Sequence, residues 1–220
     1  MNQTIHGADR AQLVREYDAT AAADALQGAT FDGTRLVVAS DAHLLRVVPE
    51  NGRVVDRLET FPEPGGLAFD GSCLWQHKNG SLQQIDGRMG SVLQTVTPEL
   101  SEVTGLECRG ADLLVLHSAG RRLMRLQIDS LGLADDAVVV GEKQTDVALR
   151  GLAWVAGQLW SSTGDELVRI DPGTAGMLER LLLPGTVEVR DLAVDSAGCF
   201  WCVDGTSARV RVLARPRAKA

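Results

Sequence analysis

The sequence predicts an all-β fold, a five-bladed β-propeller closed by its N-terminal strand. Three observations predict it. A strand-turn-strand unit recurs five times. The starts of the copies lie 38, 39, 46 and 40 residues apart, close to the ~40–45-residue period of four-stranded propeller blades. The fifth copy runs out of chain before its last strand.

The copies are GATFDGTRLVVAS (28–40), GLAFDGSCLWQHK (66–78), GLECRGADLLVLH (105–117), GLAWVAGQLWSST (151–163) and DLAVDSAGCFWCVD (191–204), the last with one extra residue in its turn. Each supplies a first strand, a tight turn and a second strand. A third strand follows in every copy: HLLRVV (43–48), SLQQID (81–86), RLMRLQI (122–128), ELVRID (166–171) and ARVRVL (208–213). A fourth strand ends the first four copies as RVVDRL, SVLQTV, DAVVV and MLERLLL. The fifth copy ends instead in the basic tail ARPRAKA.

An open ring would leave two sheet edges unpaired, and completing the last blade with the first strand of the chain removes both. The segment AQLVREYD (11–18) is placed to do this. The neighbouring ATAAADAL favours helix by propensity, so a helix over 8–26 is the rival reading, and ring closure favours the strand. The chain is then one domain over 1–220. Its blades lie near 27–63, 64–102, 103–147, 148–186 and 187–214, the last joined by strand 11–18.

Bulk properties narrow the function. The apolar share of 45% and charged share of 23% are those of an ordinary globular chain. A net charge of −7 repels phosphate backbones, so no nucleic-acid partner is expected. No apolar run approaches the ~18–20 residues of a membrane helix, so no membrane is expected either. The start MNQTIHGADRAQ lacks the apolar centre of a signal peptide. These features predict a soluble cytoplasmic protein.

The pair Cys199 and Cys202 has the spacing of a metal or redox motif, but GCFWCVD reads as a strand. Residues three apart on a strand point to opposite faces, so the two thiols are expected to be core hydrophobes. No G-x-S-x-G, Walker, H-E-x-x-H or Rossmann motif is present.

The pattern G-L-A-x-D-G-x-x-L-W, then a loop, then L-x-x-I-D, resembles a broad group of propellers. The group includes gluconolactonase-like proteins, NHL repeats and virginiamycin B lyase. The likeness spans essentially the whole chain. Five blades make it similar also to the glutamine cyclotransferases, which open on a T-Q-G-L-like strand and carry an E-S-T-G-like segment. Gln27-Gly28 and SSTG (Ser161–Gly164) match those places here. Ser161 stands where the family has its acid, and blade one reads VVAS. The gluconolactonase-like members imply a metal held by acids and amides at the channel mouth. No such set of acids precedes the first strands here, so no metal and no other cofactor is expected.

Recurrence separates packing from function, because a residue repeated at one position packs alike in every blade. Val37, Trp75, Leu114, Trp160 and Trp201 share one position and are expected between blades. Leu36, Leu74, Leu113, Leu159 and Phe200 are expected to be core on the other face. The residues just before the first strands are Gln27, Gly65, Thr104, Arg150 and Arg190, which are polar or Gly and not of one type. Arg150 and Arg190 fall at one height on adjacent blades. Together they would fork an anion, unless each is paired with a nearby acid: Glu188 or Asp191 for Arg190, Asp146 for Arg150. The loops after the second strands add Asp41 and His43, then His77, Lys78 and Asn79, then His117 and Ser118, then Thr163, Asp165 and Glu166, then Asp204. A neutral His near a cation can act as a base, which makes His77 and His117 the catalytic candidates. His6 falls in a terminus expected to fray.

Three functions follow. In the first, a small anionic molecule is bound, and transformed by a cofactor-independent lyase or cyclotransferase-like step, at the channel mouth. Arg150, Arg190, Lys78, Gln27 and Thr104 would bind it, and His77 or His117 would move a proton. In the second, the propeller is a non-catalytic scaffold for a protein partner. In the third it is a lectin with one site per blade, which the unlike loops disfavour. The sequence leaves the substrate and the oligomeric state open.

Overall fold

Each repeat closes into an antiparallel sheet because its strands carry apolar side chains on both faces and can bury both only between neighbours. The computed structural model describes residues 9–19, 25–40, 43–59, 66–127, 138–185 and 187–216. Among these residues there is no helix, and the strands form five sheets. His6, Asp41, Gly65, the segment 20–24 and the end of the tail lie outside the described residues.

Blade one is built from Leu26–Phe31, Leu36–Ser40, Leu44–Val47 and Val54–Leu58. Blade two contains Leu67–Phe69, Leu74–Lys78, Ser81–Ile85 and Val92–Val96. Blade three contains Gly105–Arg109, Asp112–His117, Arg122–Gln127 and Val138–Gln144. Blade four contains Arg150–Val155, Gln158–Ser162, Glu166–Ile170 and Met177–Leu182. Blade five has Val189–Val194, Phe200–Asp204 and Arg209–Ala214, and Gln12–Asp18 pairs antiparallel with the last of these. The N-terminal strand therefore closes the ring, and the rival helix is not formed over those residues.

The closing strand contributes backbone pairing more than burial, since Leu13 and Val14 are 50% and 52% exposed. Its anchors are Glu16, which accepts from Arg211 Nε at 2.6 Å, and Tyr17, whose ring stacks on Trp201. One further pairing was not anticipated. Asp9–Arg10 adds in parallel to the outer strand of blade four. Both residues are exposed, so no apolar pattern marks them as a strand.

Five apolar clusters fill the five junctions between blades. Val37, Trp75, Leu114, Trp160 and Trp201 each point into the junction with the following blade, and all are at most 3% exposed. Leu36, Leu74, Leu113, Leu159 and Phe200 point into the junction with the preceding blade. Cys202 lies in the junction of blades four and five, while Cys199 packs against that of blades five and one. The two thiols therefore face opposite ways, and both cysteines are free.

Candidate functional site

The ring closes tightly around its axis because the first strands begin with glycine. A Cβ on Gly28 would sit 3.1 Å from Gly66, one on Gly66 would sit 2.8 Å from the nitrogen of Leu106, and one on Gly105 would sit 2.9 Å from Gly151. The fifth blade has Asp191 at this position. Its side chain is fully buried and fills the axis. Its carboxylate accepts the backbone N–H groups of Ala29 at 2.8 Å and Leu192 at 2.9 Å, and also those of Leu67 and Leu152. One side chain thus ties four of the five blades. Burial pushes its pKa up to about 8, against the four N–H groups, which favour the charged form.

Two residues further along the first strands, the same face carries Thr30, Ala68, Glu107, Ala153 and Ala193. Glu107 is the acid among small residues. Its carboxylate accepts the N–H of Trp154 on the next blade, as Asp191 accepts that of Ala29. Burial first, and the neighbouring Asp191 second, raise its pKa well above the usual carboxylate range.

At the end of the ring where these strands begin, three of the predicted binding residues reach the following blade. Thr104 Oγ1 donates to the carbonyl of Leu149 at 2.9 Å. Arg150 pairs with Glu188 of blade five. Arg190 Nη1 donates to Gln27 Oε1 of blade one at 3.2 Å. Arg150 does not take Asp146, and Arg190 takes neither Glu188 nor Asp191. Among the described residues, the hydrogen bond to Gln27 is the one bond of the Arg190 guanidinium, and its buried Nε has no acceptor. The backbone of Gly205 lies over that nitrogen, where a Cβ would come to 2.8 Å.

The second strands end at the same side of the ring. Lys78 is the last residue of its strand, and His77 precedes it, 9% exposed. His117 ends the corresponding strand of blade three, and its Nε2 is 2.8 Å from Glu142 Oε1. Arg122 holds the other oxygen of Glu142 at 2.8 Å. The two histidines are not equivalent. The strand registers pair Leu67 with Gln76 and Leu106 with Val115, so His117 stands one step beyond His77. By alternation His77 faces blade three and His117 faces blade two.

The sequence matches no family model, and it matches no curated protein. Solved structures do match it. The chain shares its fold with a glutaminyl cyclase from Myxococcus xanthus. The identity is 20%, the TM-score 0.73, and the match covers 94% of this chain and 98% of that one. The β-propeller domain of Cps50 (Swd1) from Myceliophteria thermophila matches at 11% identity and TM-score 0.55, covering 94% of this chain and all of that one. The WD40 propeller domain of Doa1 matches at 10% identity and TM-score 0.52, over 86% of this chain and 63% of that one. At these identities the likeness is one of fold.

The SSTG segment has a local structural use. Ser161 is buried, and its hydroxyl donates to the carbonyl of Gly151 at 2.7 Å. It braces the bulge between Arg150 and Ala153 that turns Gly151 towards the axis. Sequence reasoning missed Asp191 and Glu107 as axial groups. The signal was present, because the first position of the five copies reads Gly, Gly, Gly, Gly, Asp and the third reads Thr, Ala, Glu, Ala, Ala.

Proposed function

We propose that this propeller binds a small anionic molecule at the end of the ring where the first strands begin. The observation that carries this reading is Arg190. Its neighbour Arg150 is neutralised by Glu188, whereas among the described residues Arg190 has only the neutral amide of Gln27 and a buried Nε with no acceptor. An unsatisfied buried donor costs about 1–3 kcal/mol. A carboxylate or phosphate at the mouth takes the remaining Nη donors of the guanidinium in pairs. Thr104, Gln27 and Lys78 share this end of the ring and supply further polar contacts. Binding is the primary activity in this reading. A lyase or cyclisation step is its extension, with His77 or His117 as the proton carrier.

A thermal-shift screen of small carboxylates and phosphates tests the reading. Wild type, Arg150→Ala and Arg190→Ala are compared. The expected result is an anion that raises the melting temperature of wild type and fails with Arg190→Ala. Equal stabilisation of wild type and Arg190→Ala would overturn it.

A second reading, a scaffold for a protein partner, is favoured by one observation. Met89, Val92 and Leu93 are 79%, 51% and 54% exposed together on the rim of blade two. Exposed apolar clusters mark contact surfaces. Capture of a partner that is lost with Leu93→Lys and kept with Arg190→Ala would favour the scaffold.

A further inference from the structure

The opposite end of the ring, where the first strands finish, holds a cavity of about 870 Å³. It is formed by the ends of the first strands of blades one, two, four and five and by the turns that follow them. Its walls are aromatic and acidic. Phe31, Phe69 and Trp154 line it with Glu50 and Asp195, and no Lys, Arg or His is among its described lining residues. The volume suits a small organic molecule.

The charged side chains in the described lining are both acids, Glu50 and Asp195, while two guanidiniums, Arg15 and Arg109, stand outside it. The Asp195 carboxylate accepts the indole N–H of Trp201 at 2.9 Å and the backbone N–H groups of Ala197 and Cys199, both at 2.9 Å. These partners are neutral, so its charge is oriented but not cancelled. The backbone carbonyl of Glu50 is held by Arg15 at 2.9 Å, which fixes the rim from outside. Glu107 lies along the axis on this side of Asp191 and accepts the N–H of Trp154, itself a wall of the cavity. Glu107 keeps partial exposure despite its depth. Trp154 also carries the Arg109 guanidinium, from outside the lining, at 4.2 Å from a ring centroid. A cation is therefore already stacked on this wall.

We propose that this cavity binds an organic cation with an apolar body, such as a quaternary or primary amine, its charge set among Phe31, Phe69 and Trp154 and facing Glu50 and Asp195, with Glu107 beyond the lining and bonded to the Trp154 backbone. Aromatic faces attract a cation through their quadrupole, by about 0.5–2 kcal/mol for each contact as it is desolvated. The acids add a field that excludes anions. A cation near Glu107 also favours its ionised form, against the burial that raises its pKa. This site lies at the other end of the ring from Arg190 and is independent of the anion site.

The test is a tryptophan-fluorescence titration with three probes of similar body: benzyltrimethylammonium, benzyl alcohol and phenylacetate. The cation is expected to saturate, at least about tenfold tighter than the alcohol, with no binding of phenylacetate. Trp154→Leu and Glu107→Gln are each expected to weaken the cation. Ser196→Arg, which places a positive charge on an exposed rim turn, is expected to abolish binding without unfolding the protein. Arg190→Ala is expected to leave it unchanged. Failure of the cation to saturate, phenylacetate binding as tightly as the cation, or full binding by Ser196→Arg would each overturn the proposal.

Discussion

The Asp191 carboxylate accepts the backbone N–H of Ala29 at 2.8 Å across 162 positions of sequence. That bond joins the last blade to the first at the axis. The N-terminal strand joins the same end of the chain at the rim. The ring is therefore closed twice, once inside and once outside.

Replacing Asp191 with Ala leaves four backbone N–H groups at the buried axis without their acceptor. Each unsatisfied donor costs about 1–3 kcal/mol, so a loss of at least about 3 kcal/mol is expected in urea unfolding. Asp191→Asn keeps one acceptor oxygen but turns an amide donor towards the N–H groups of the other side, so it is expected to recover only part of that loss. Equal losses for the two variants would contradict the hub.

The same group makes stability depend on pH. Asp191 is raised from 3.8 to about 8 in the folded chain, and Glu107 is raised in the same direction. A carboxyl that holds its proton more tightly when folded contributes its full stability below its unfolded pKa. That contribution is lost as pH rises through the folded value. Stability is therefore expected to fall between about pH 4 and about pH 8, with a slope of at most about 1.4 kcal/mol per pH unit for each group. The double variant Asp191→Asn, Glu107→Gln is expected to flatten that slope. Denaturant melts across this range check it.

Glycine is needed at the axis for two separate reasons, which a pair of variants separates. Gly151 has φ +62° and its Cβ would fall 2.5 Å from Asp191 Oδ1. Gly71 has φ +100° and open space. Gly71→Ala should cost about 1 kcal/mol from backbone strain. Gly151→Ala should cost about 3 kcal/mol or more, because it also displaces the hub. Thermal unfolding of both variants checks the difference.

Gly205→Ala probes the mouth without removing a charge. The backbone there needs no left-handed geometry, and the new Cβ meets the Arg190 side chain, at 2.8 Å from Nε and 3.3 Å from Cβ. The guanidinium is expected to shift outwards at a stability cost under about 1 kcal/mol. Anion affinity is expected to fall several-fold, read by calorimetry, because a bidentate contact depends on placement.

The blade pattern was legible because packing repeats. Trp75, Trp160 and Trp201 recur at one position and all lie between blades. Their polar ends were less legible. Asp70 and Asp195 accept the indole N–H of Trp75 and Trp201 at 3.0 Å and 2.9 Å. Blade four has Val155 at that turn position, and the buried Trp160 nitrogen has no acceptor. Its ring instead lies 4.9 Å from the guanidinium of Arg215. The mouth was legible as a set of places but not as a set of partners. Arg150 pairs with Glu188 of the next blade rather than with Asp146, a cross-blade partner that no sequence spacing marks. Asp191 was visible only as an acid beside Arg190. Its axial role depends on the glycines of the other four blades, which no single repeat displays.

The central claim is that Arg190 holds an anion at the mouth. The most direct measurement is the nitrogen–proton NMR resonance of Arg190 Nε, assigned by its loss in Arg190→Lys and followed as phosphate or a small dicarboxylate is added. A saturable shift of that resonance, with the Arg150 signal moving less, is the predicted result. An Arg190 resonance that stays fixed while other arginines respond to the same anions would contradict the claim.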